Sequence, residues 1–186
     1  LAGLLAEARN DPQNPGNADE RLPDEGNAER LGAFLAGDRP TVVYFGKLLY
    51  NKGVHVLIEA LRAVDARAVI VGFGDYREEL EGLAGQNALF TGPLEHRHLV
   101  HLLAFADATV VPSIFPEAFG MVAAEAAAAG SPPLVARHSG LAQIARGLEE
   151  EYPAHLSHLA SFATGDAGEL AARLSELLTL TDPDRQ

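Results

Sequence analysis

The chain has 186 residues, which suits one domain with a sizeable single core, and 47% of them are hydrophobic while only 6% are aromatic. Its formal charge of -12 argues against nucleic acid or an anionic membrane surface as a general partner, so any phosphate site must be local. The lack of cysteine excludes a disulfide framework and a thiolate metal site, and it fits a reducing cytoplasm. No apolar run approaches the length that spans a bilayer, so we expect no transmembrane segment.

The first part of the chain is predicted to lie outside the main domain. Residues 1–9 resemble a fragment of a helix, and residues 10–26 have the three prolines and the many Asn and Asp residues of a linker. A short helix is expected around residues 28–36. We therefore predict a linker with a helix remnant at residues 1–38 and a domain at residues 39–186, and we expect the chain to be part of a longer protein.

From residue 41 onward, short β-rich runs alternate with amphipathic helical segments. The predicted strands cover residues 41–45, 68–71, 89–91, 108–111 and 134–136. The predicted helices cover residues 54–64, 76–84, 96–105 and 120–129, with further helices from residue 141 and over residues 167–178. This alternation predicts an α/β fold, a Rossmann-like doubly wound parallel sheet with helices on both faces. Ligands of such folds bind beyond the carboxyl ends of the strands, which here are the loops at residues 46–53, 72–75, 92–95, 112–118 and 137–140.

The loop after the first predicted strand carries two lysines between glycines. Lys47 follows Gly46, and Lys52 precedes Gly53. Two cations at a strand end can bring positive charge to a diphosphate in an otherwise acidic protein. Two solvated lysines on a surface turn would give the same pattern, so the residues alone leave both interpretations open.

The segment from Pro112 to Gly130 is the strongest indication of a ligand site. A predicted strand runs into a Pro-rich loop and then into an Ala-rich helix, whose first N–H groups and positive dipole end suit a phosphate. Glu117 lies just before this helix and Glu125 about a turn and a half inside it. Two carboxylates on either side of an anion site can accept hydrogen bonds from hydroxyls on both sides of a diphosphate. An arbitrary pair of glutamates would more often be a loop carboxylate and a solvated helix residue.

Two further patterns carry little weight. Gly72 and Gly74 could begin a dinucleotide fingerprint, but Arg77 occupies the place of its third glycine. His98 and His101 could share a helix face as metal ligands, but that helix also carries the leucines of a core face. We therefore expect neither a nicotinamide or flavin cofactor nor a bound metal.

Taken together, these motifs resemble those of a known family of enzymes. Pro112-Ser113, the pair Glu117 and Glu125, Phe119-Gly120 and the closing Gly130 resemble the E-x7-E signature of retaining glycosyltransferases of the GT-B fold, most closely the group 1 or family 4 type. Lys52-Gly53 matches the same family, as does the turn from Val71 to Gly74. The segment from Phe90 to Leu94 resembles the one that holds the nucleobase.

The resemblance implies a C-terminal donor-binding domain, cytoplasmic, that binds a nucleoside-diphosphate sugar as substrate and uses no cofactor. It implies catalytic roles for Glu117 on the transferred sugar and for Lys47 and Lys52 on the diphosphate, which the N–H groups of Phe119, Gly120 and Met121 would also hold. Glu125 would bind ribose hydroxyls, and Gly46, Gly92 and Leu94 would complete the donor site. The acceptor would depend on a missing N-terminal domain, without which this domain should be inactive. Peripheral membrane contact of the full-length protein remains compatible with these features.

Three features depart from the family pattern. Lys47 occupies the place of a usual arginine, and His138, Ser139 and Gly140 are followed by Gln143 where the family often has glutamate. We treat His138 and Ser139 as rim candidates. Residues 148–164 do not show the short strand that the family would have there.

Two alternative functions stay open: a non-catalytic nucleotide-binding module and one half of a sugar-nucleotide epimerase. A signalling receiver is disfavoured, because Gly46-Lys47 stands where a receiver needs acidic residues.

Overall fold

The computed structural model describes residues 25–180, so the predictions for residues 1–24 lie outside the described residues. The six strands are β1 Thr41–Phe45, β2 Arg67–Val71, β3 Ala88–Gly92, β4 Ala108–Val111, β5 Pro133–Ala136 and β6 Ser161–Phe162. The seven helices in this part of the chain are α1 Glu25–Phe34, α2 Val54–Ala60, α3 Arg77–Leu83, α4 His96–Phe105, α5 Met121–Ala128, α6 Ser139–Glu151 and α7 Ala167–Thr179. Two short 3-10 turns cover Tyr50–Lys52 and Ser157–Ala160.

The strands form one parallel sheet in the order β3-β2-β1-β4-β5-β6. The order reverses between β1 and β4, where Val42 pairs with Ala108. Every residue of β1 and β2 is buried, as expected of a parallel sheet that is covered on both faces. The predicted doubly wound α/β fold is therefore confirmed, and its switch point lies at the carboxyl ends of β1 and β4.

The core is divided by the sheet into two hydrophobic clusters. Successive side chains of a strand point to opposite faces, so Val42 belongs to one cluster and Val43 to the other. Helices α2 and α7 cover the first cluster, with Leu57 and Leu170 fully buried. Helices α1 and α4 contribute to the second cluster, where Leu31, Leu35, Leu99, Leu102 and Leu103 are buried. The two clusters fix the sheet from both sides and leave its carboxyl edge to the loops.

The structure corrects two boundary predictions. Helix α2 ends at Ala60, four residues before the predicted end, because the N–H groups of Arg62 and Ala63 bond to carbonyls three residues back and tighten the last turn. Residues 148–164 do contain a strand, because β6 pairs in parallel with Val135 and Ala136 of β5. A strand of two residues is too short to show a hydrophobic period.

The helices that the structure describes are all too short or too polar to cross a bilayer.

Candidate functional site

A cavity of about 360 Å³ lies at the switch point, beyond the carboxyl ends of β1 and β4. The loops after both strands and the first turn of α5 line it together. Its lining residues are Tyr44, Phe45, Gly46, Lys47, Lys52, Val111, Pro112, Ser113, Glu117, Ala118, Phe119, Gly120, Met121 and Val122. Seven of the ten predicted site residues therefore share one cavity: Gly46, Lys47, Lys52, Glu117, Phe119, Gly120 and Met121.

Glycine at position 53 allows the β1 loop to pack directly on the β4 loop. Gly53 has a φ of +68°, and a Cβ there would overlap the carbonyl oxygen of Pro112. The Asn51 carbonyl accepts a hydrogen bond from the Ile114 N–H at 3.0 Å, which ties the Tyr50–Lys52 turn to the β4 loop. This contact brings Lys52 next to Glu117, 65 residues further along the chain.

Lys52 and Glu117 form an ion pair at the edge of the cavity, and both side chains are partly exposed. Ser113, which is buried, donates to the same carboxylate oxygen of Glu117 at 2.9 Å. Burial alone would raise the pKa of Glu117. The hydrogen bonds from Lys52 and Ser113, together with the charges of Lys52 and His138, outweigh that effect and hold the pKa of Glu117 below its ordinary value of 4.5. Glu117 is therefore a carboxylate at neutral pH and can only accept hydrogen bonds.

Tyr44 holds the backbone beneath Lys47. Its hydroxyl donates to the Lys47 carbonyl at 2.8 Å, and burial, with the nearby charge of Glu117, raises the pKa of Tyr44. The hydroxyl therefore keeps its proton at neutral pH. Gly46 passes over this ring, because a Cβ at residue 46 would lie 3.1 Å from the tyrosine oxygen. The Lys47 side chain is exposed at the mouth of the cavity.

The first turn of α5 faces the cavity without a side-chain cap. Gly120 is the N-cap residue, with a φ of +60°, and no described side chain bonds to the free N–H groups that follow it. A Cβ at residue 120 would lie 2.9 Å from Ile144, so glycine also permits close packing of α5 on α6. Phe119 and Met121 are 77% and 63% exposed. The helix start therefore offers backbone donors and the positive end of a dipole to an anion.

The other three predicted residues lie outside this cavity. Glu125 is one turn further along α5 than Met121, with its Oε2 4.0 Å from Nδ1 of His96 at the start of α4. Gly92 accepts the Gly72 N–H at 3.0 Å, and Leu94 is partly buried in the second cluster. The roles proposed for these three residues in binding the ribose and base stay predictions.

Four polar residues lie near Glu117. Ser113 and Ser139 bond to it directly, and His138 contacts both serines. Tyr44 lies close enough for the charge of Glu117 to raise its pKa. Among them the sequence had pointed to His138 and Ser139 only as rim candidates, and it gave no role to Tyr44 or Ser113. The hydroxyl of Ser139 accepts the Glu117 N–H at 2.9 Å, and Nε2 of His138 lies 2.6 Å from the Ser113 carbonyl. The serine of Pro112-Ser113 was a signal in the sequence, but a tyrosine in a buried strand looks like an ordinary core residue.

Within residues 25–180, no three His, Asp or Glu side chains come together as a metal-binding group.

Comparison with known proteins gives the family. The family model described as glycosyl transferases group 1 matches residues 28–186. A glycosyltransferase of Methanocaldococcus jannaschii, named as uncharacterised, is 37% identical over 124 residues, which is 62% of this chain and 32% of that protein. The sulfoquinovosyl transferase of Arabidopsis thaliana is 33% identical over 143 residues, which is 76% of this chain and 27% of that protein. The chain thus spans about a third or less of the length of these relatives.

Solved structures give the fold. The crystal structure of Anabaena HepE in complex with UDP-glucose matches with a TM-score of 0.70 and 24% identity, over 85% of this chain and 43% of that one. The catalytic domain of cholesterol-alpha-glucosyltransferase from Helicobacter pylori matches with a TM-score of 0.65 and 21% identity, over 76% of this chain and 87% of that one. The fold is one Rossmann-like domain of the GT-B type, and the chain belongs to the group 1 glycosyltransferase family.

Proposed function

We propose that this chain is the donor-binding domain of a retaining glycosyltransferase, which binds a nucleoside-diphosphate sugar and passes its hexosyl group to an acceptor. One observation carries the proposal: the cavity at the switch point brings together Lys47, Lys52, the uncapped start of α5 and the carboxylate of Glu117. Cationic side chains and free N–H groups recognise a diphosphate, and a carboxylate recognises sugar hydroxyls. A cavity of about 360 Å³ lies within the usual size range of a small-molecule site.

The diphosphate is assigned to the lysine side of the cavity. Lys47 and Lys52 supply charge there in a protein whose net charge is -12, and the N–H groups of Phe119, Gly120 and Met121 supply directed donors. These groups stabilise the negative charge that builds on the leaving diphosphate while the anomeric bond breaks. Because the lysines and the N–H groups balance this negative charge themselves, we propose that turnover needs no metal ion.

Glu117 is assigned to the transferred sugar. Its lowered pKa keeps it ionised, so it accepts hydrogen bonds from sugar hydroxyls on one side of the leaving group. Lys52 already contacts Glu117, so one cation can bridge the sugar-binding carboxylate and the diphosphate. Sugar and leaving group are then oriented by a single connected set of charges.

Glu125 and the β3 loop are assigned to the nucleoside. Glu125 lies four positions beyond Met121 in the helix, a rise of about 6 Å, which is suitable for a ribose beyond a diphosphate held at the helix start. Gly92 and Leu94 would contact the base through their backbone groups. The acceptor is assigned to a second domain, since the matched segment is 43% of the UDP-glucose-bound Anabaena protein. The proposed location of the whole enzyme is the cytoplasm.

A thermal-unfolding screen tests this proposal. The chain is unfolded with UDP, GDP, ADP or a nicotinamide dinucleotide at a hundredfold excess over Kd, where binding adds about 2.7 kcal/mol. That stabilisation raises Tm by roughly 5–10 °C for a domain of this size. A shift with one nucleoside diphosphate supports the proposal and names the base. A shift with the nicotinamide dinucleotide alone, or with none of the four, contradicts donor binding by this chain.

The transfer step is tested on the full-length protein. Glycosyl transfer from the nucleotide sugar identified by the screen, with the anomeric configuration of the product read by NMR, tests retention directly. Donor binding without transfer would instead favour the non-catalytic nucleotide-binding module, to which the lysine at position 47 and the glutamine at position 143 point.

A further inference from the structure

We propose that His138 and Ser139 are positioning residues that hold Glu117 toward the donor sugar, an inference that rests on the proposed function. Neither side chain lines the cavity. Both act through the loop between β4 and α5, which they tie to the start of α6.

Four hydrogen bonds form a closed ring through this loop. The Glu117 N–H donates to the Ser139 hydroxyl at 2.9 Å, and that hydroxyl lies 3.0 Å from Nδ1 of His138. Nε2 of the same imidazole lies 2.6 Å from the Ser113 carbonyl oxygen. The Ser113 hydroxyl closes the ring by donating to Glu117 Oε1 at 2.9 Å. The ring therefore constrains both the backbone and the carboxylate of Glu117.

The chemistry of these partners fixes one proton in the ring. A carbonyl oxygen only accepts, so Nε2 of His138 must carry a hydrogen. The Ser139 hydroxyl already accepts from the Glu117 N–H, so its own hydrogen is available for Nδ1. The ring therefore requires a hydrogen on Nε2 of His138, whereas the bond between Nδ1 and the Ser139 hydroxyl can be donated from either side.

The backbone conformation of Ser139 supports the role of its hydroxyl in holding Glu117. Among residues 25–180, Ser139 is the one non-glycine residue with a positive φ, at +43°. Such a conformation is unfavourable with a Cβ and persists where the surroundings enforce it. The next residue, Gly140, donates its N–H to the Glu117 carbonyl at 2.9 Å, and a Cβ at residue 140 would overlap that oxygen. Residues 139 and 140 thus hold Glu117 by both backbone groups.

The loop has little apolar packing that would replace the ring. Phe115, Pro116, Ala118 and Phe119, which flank Glu117, are all exposed. A segment whose side chains point to solvent is held in one conformation mainly by its polar contacts. Here those contacts all involve Ser113, Lys52 or the start of α6.

Replacing Ser139 by glycine separates the hydroxyl from the backbone strain. Ser139→Gly tolerates the positive φ and removes the hydroxyl, so the fold should be kept while Glu117 loses one contact. With UDP and UDP-glucose as probes, we expect the variant to bind UDP within twofold of the parent. The additional affinity for UDP-glucose should fall about 3- to 10-fold, the effect of one hydrogen bond. Ser157→Gly, far from this loop along the chain, is the matched control.

A second measurement does not depend on any ligand. In the 1H–15N spectrum of the imidazoles of the free chain, His138 should show a hydrogen on Nε2, and Ser139→Gly should shift its Nδ1 resonance because the hydroxyl beside that nitrogen is lost. An unchanged His138 resonance, or an unchanged UDP-glucose to UDP affinity ratio in a variant of a donor-binding parent, would overturn the positioning role. A parent that binds only GDP or ADP is tested with that nucleotide and its glucose conjugate instead. A parent that binds none of UDP, GDP and ADP would contradict the proposed function, and the imidazole spectrum would then decide whether the ring exists.

Discussion

The two ends of the sheet use their cations in opposite ways. At the amino end, Arg67 of β2 is 4% exposed and donates to the Thr41 hydroxyl and the Phe34 and Ala36 carbonyls, each at 2.8 Å. At the carboxyl end, the Lys52 side chain is 31% exposed and pairs with a carboxylate at the edge of a cavity. The first cation joins α1 to the sheet, whereas the second faces space that a ligand can occupy.

The difference lies in what each cation contacts. The partners of Arg67 are backbone carbonyls and a hydroxyl, which lose these hydrogen bonds when the arginine is removed. The partner of Lys52 is a carboxylate that accepts hydrogen bonds from any donor. A second cavity of about 210 Å³, lined by Leu61, Arg62 and Asn87, lies where α2 and α3 end and β3 begins, but Asn87 already accepts from Arg39 at 2.9 Å. A buried cation whose donors bond to backbone carbonyls and a hydroxyl therefore indicates structure, and a cation with an exchangeable partner indicates a ligand site.

The largest expected effect is on the structural cation. Arg67→Met should lower the free energy of unfolding by about 2–4 kcal/mol, because buried acceptors lose their donors. This corresponds to roughly 5–15 °C in Tm. Differential scanning calorimetry measures it. Nucleotide affinity should be unchanged in the folded variant, and a large loss of affinity at constant stability would invalidate the contrast.

Lys52 should behave in the opposite way. Lys52→Met removes a charged donor from the proposed diphosphate site, so nucleoside-diphosphate affinity should fall by about 1.5–3 kcal/mol. Stability should change by less than about 1 kcal/mol, as for other partly exposed ion pairs. Isothermal titration calorimetry measures the first change and thermal unfolding the second. Arg62→Met, at the other cavity, is the control and should leave affinity unchanged.

Gly140 links stability to the geometry of Glu117. Gly140→Ala forces a Cβ onto the carbonyl oxygens of Ala118 and Glu117, and such overpacking costs about 1–3 kcal/mol. Gly147→Ala changes the same helix where a Cβ meets nothing, so it should stabilise by up to about 1 kcal/mol. Equilibrium urea unfolding of both variants tests the pair. Equal effects would show that the loop does not rest on α6.

The smallest expected effect is a pH dependence. The pKa of Glu117 is lowered in the folded state, so its contribution to stability is present above the ordinary value of 4.5 and is lost as the pH falls through the lower folded value. Glu117→Gln removes this contribution. Between about pH 5 and pH 3, Tm of the parent should therefore fall more steeply than Tm of the variant. Parallel curves would mean that Lys52 and Ser113 do not stabilise the carboxylate.

Strands β1, β2 and β4 were predictable because they are continuous buried runs rich in β-branched residues. The prediction for β1, residues 41–45, matches the observed Thr41–Phe45, and loops at the carboxyl ends of β1 and β4 do line the cavity. Strand β6 was missed because two residues carry no period, and α2 was extended too far because a tightened last turn keeps helical spacing.

Contacts between distant loops were not predictable from the sequence. Lys52 and Glu117 meet because Gly53 allows two backbones to touch, and no local pattern encodes that approach. His138 and Ser139 contact Ser113 and Glu117 through bonds that depend on a positive φ at a serine, which sequence propensity disfavours. The residue types therefore predicted which chemical groups lie at this edge of the sheet, but only the packing of the loops determines which of these groups contact one another.

The uncapped start of α5 also has a consequence for evolution. Donors on the backbone are present whichever residue occupies a position, proline excepted, so substitutions at the exposed Phe119 and Met121 leave those donors in place. Carboxylates such as Glu117 and Glu125 change their chemistry with every substitution. Under the proposed function, such a division would let mutation explore new sugars and bases at the flanks of the pocket while the anchor for the group common to all nucleotide donors is inherited unchanged.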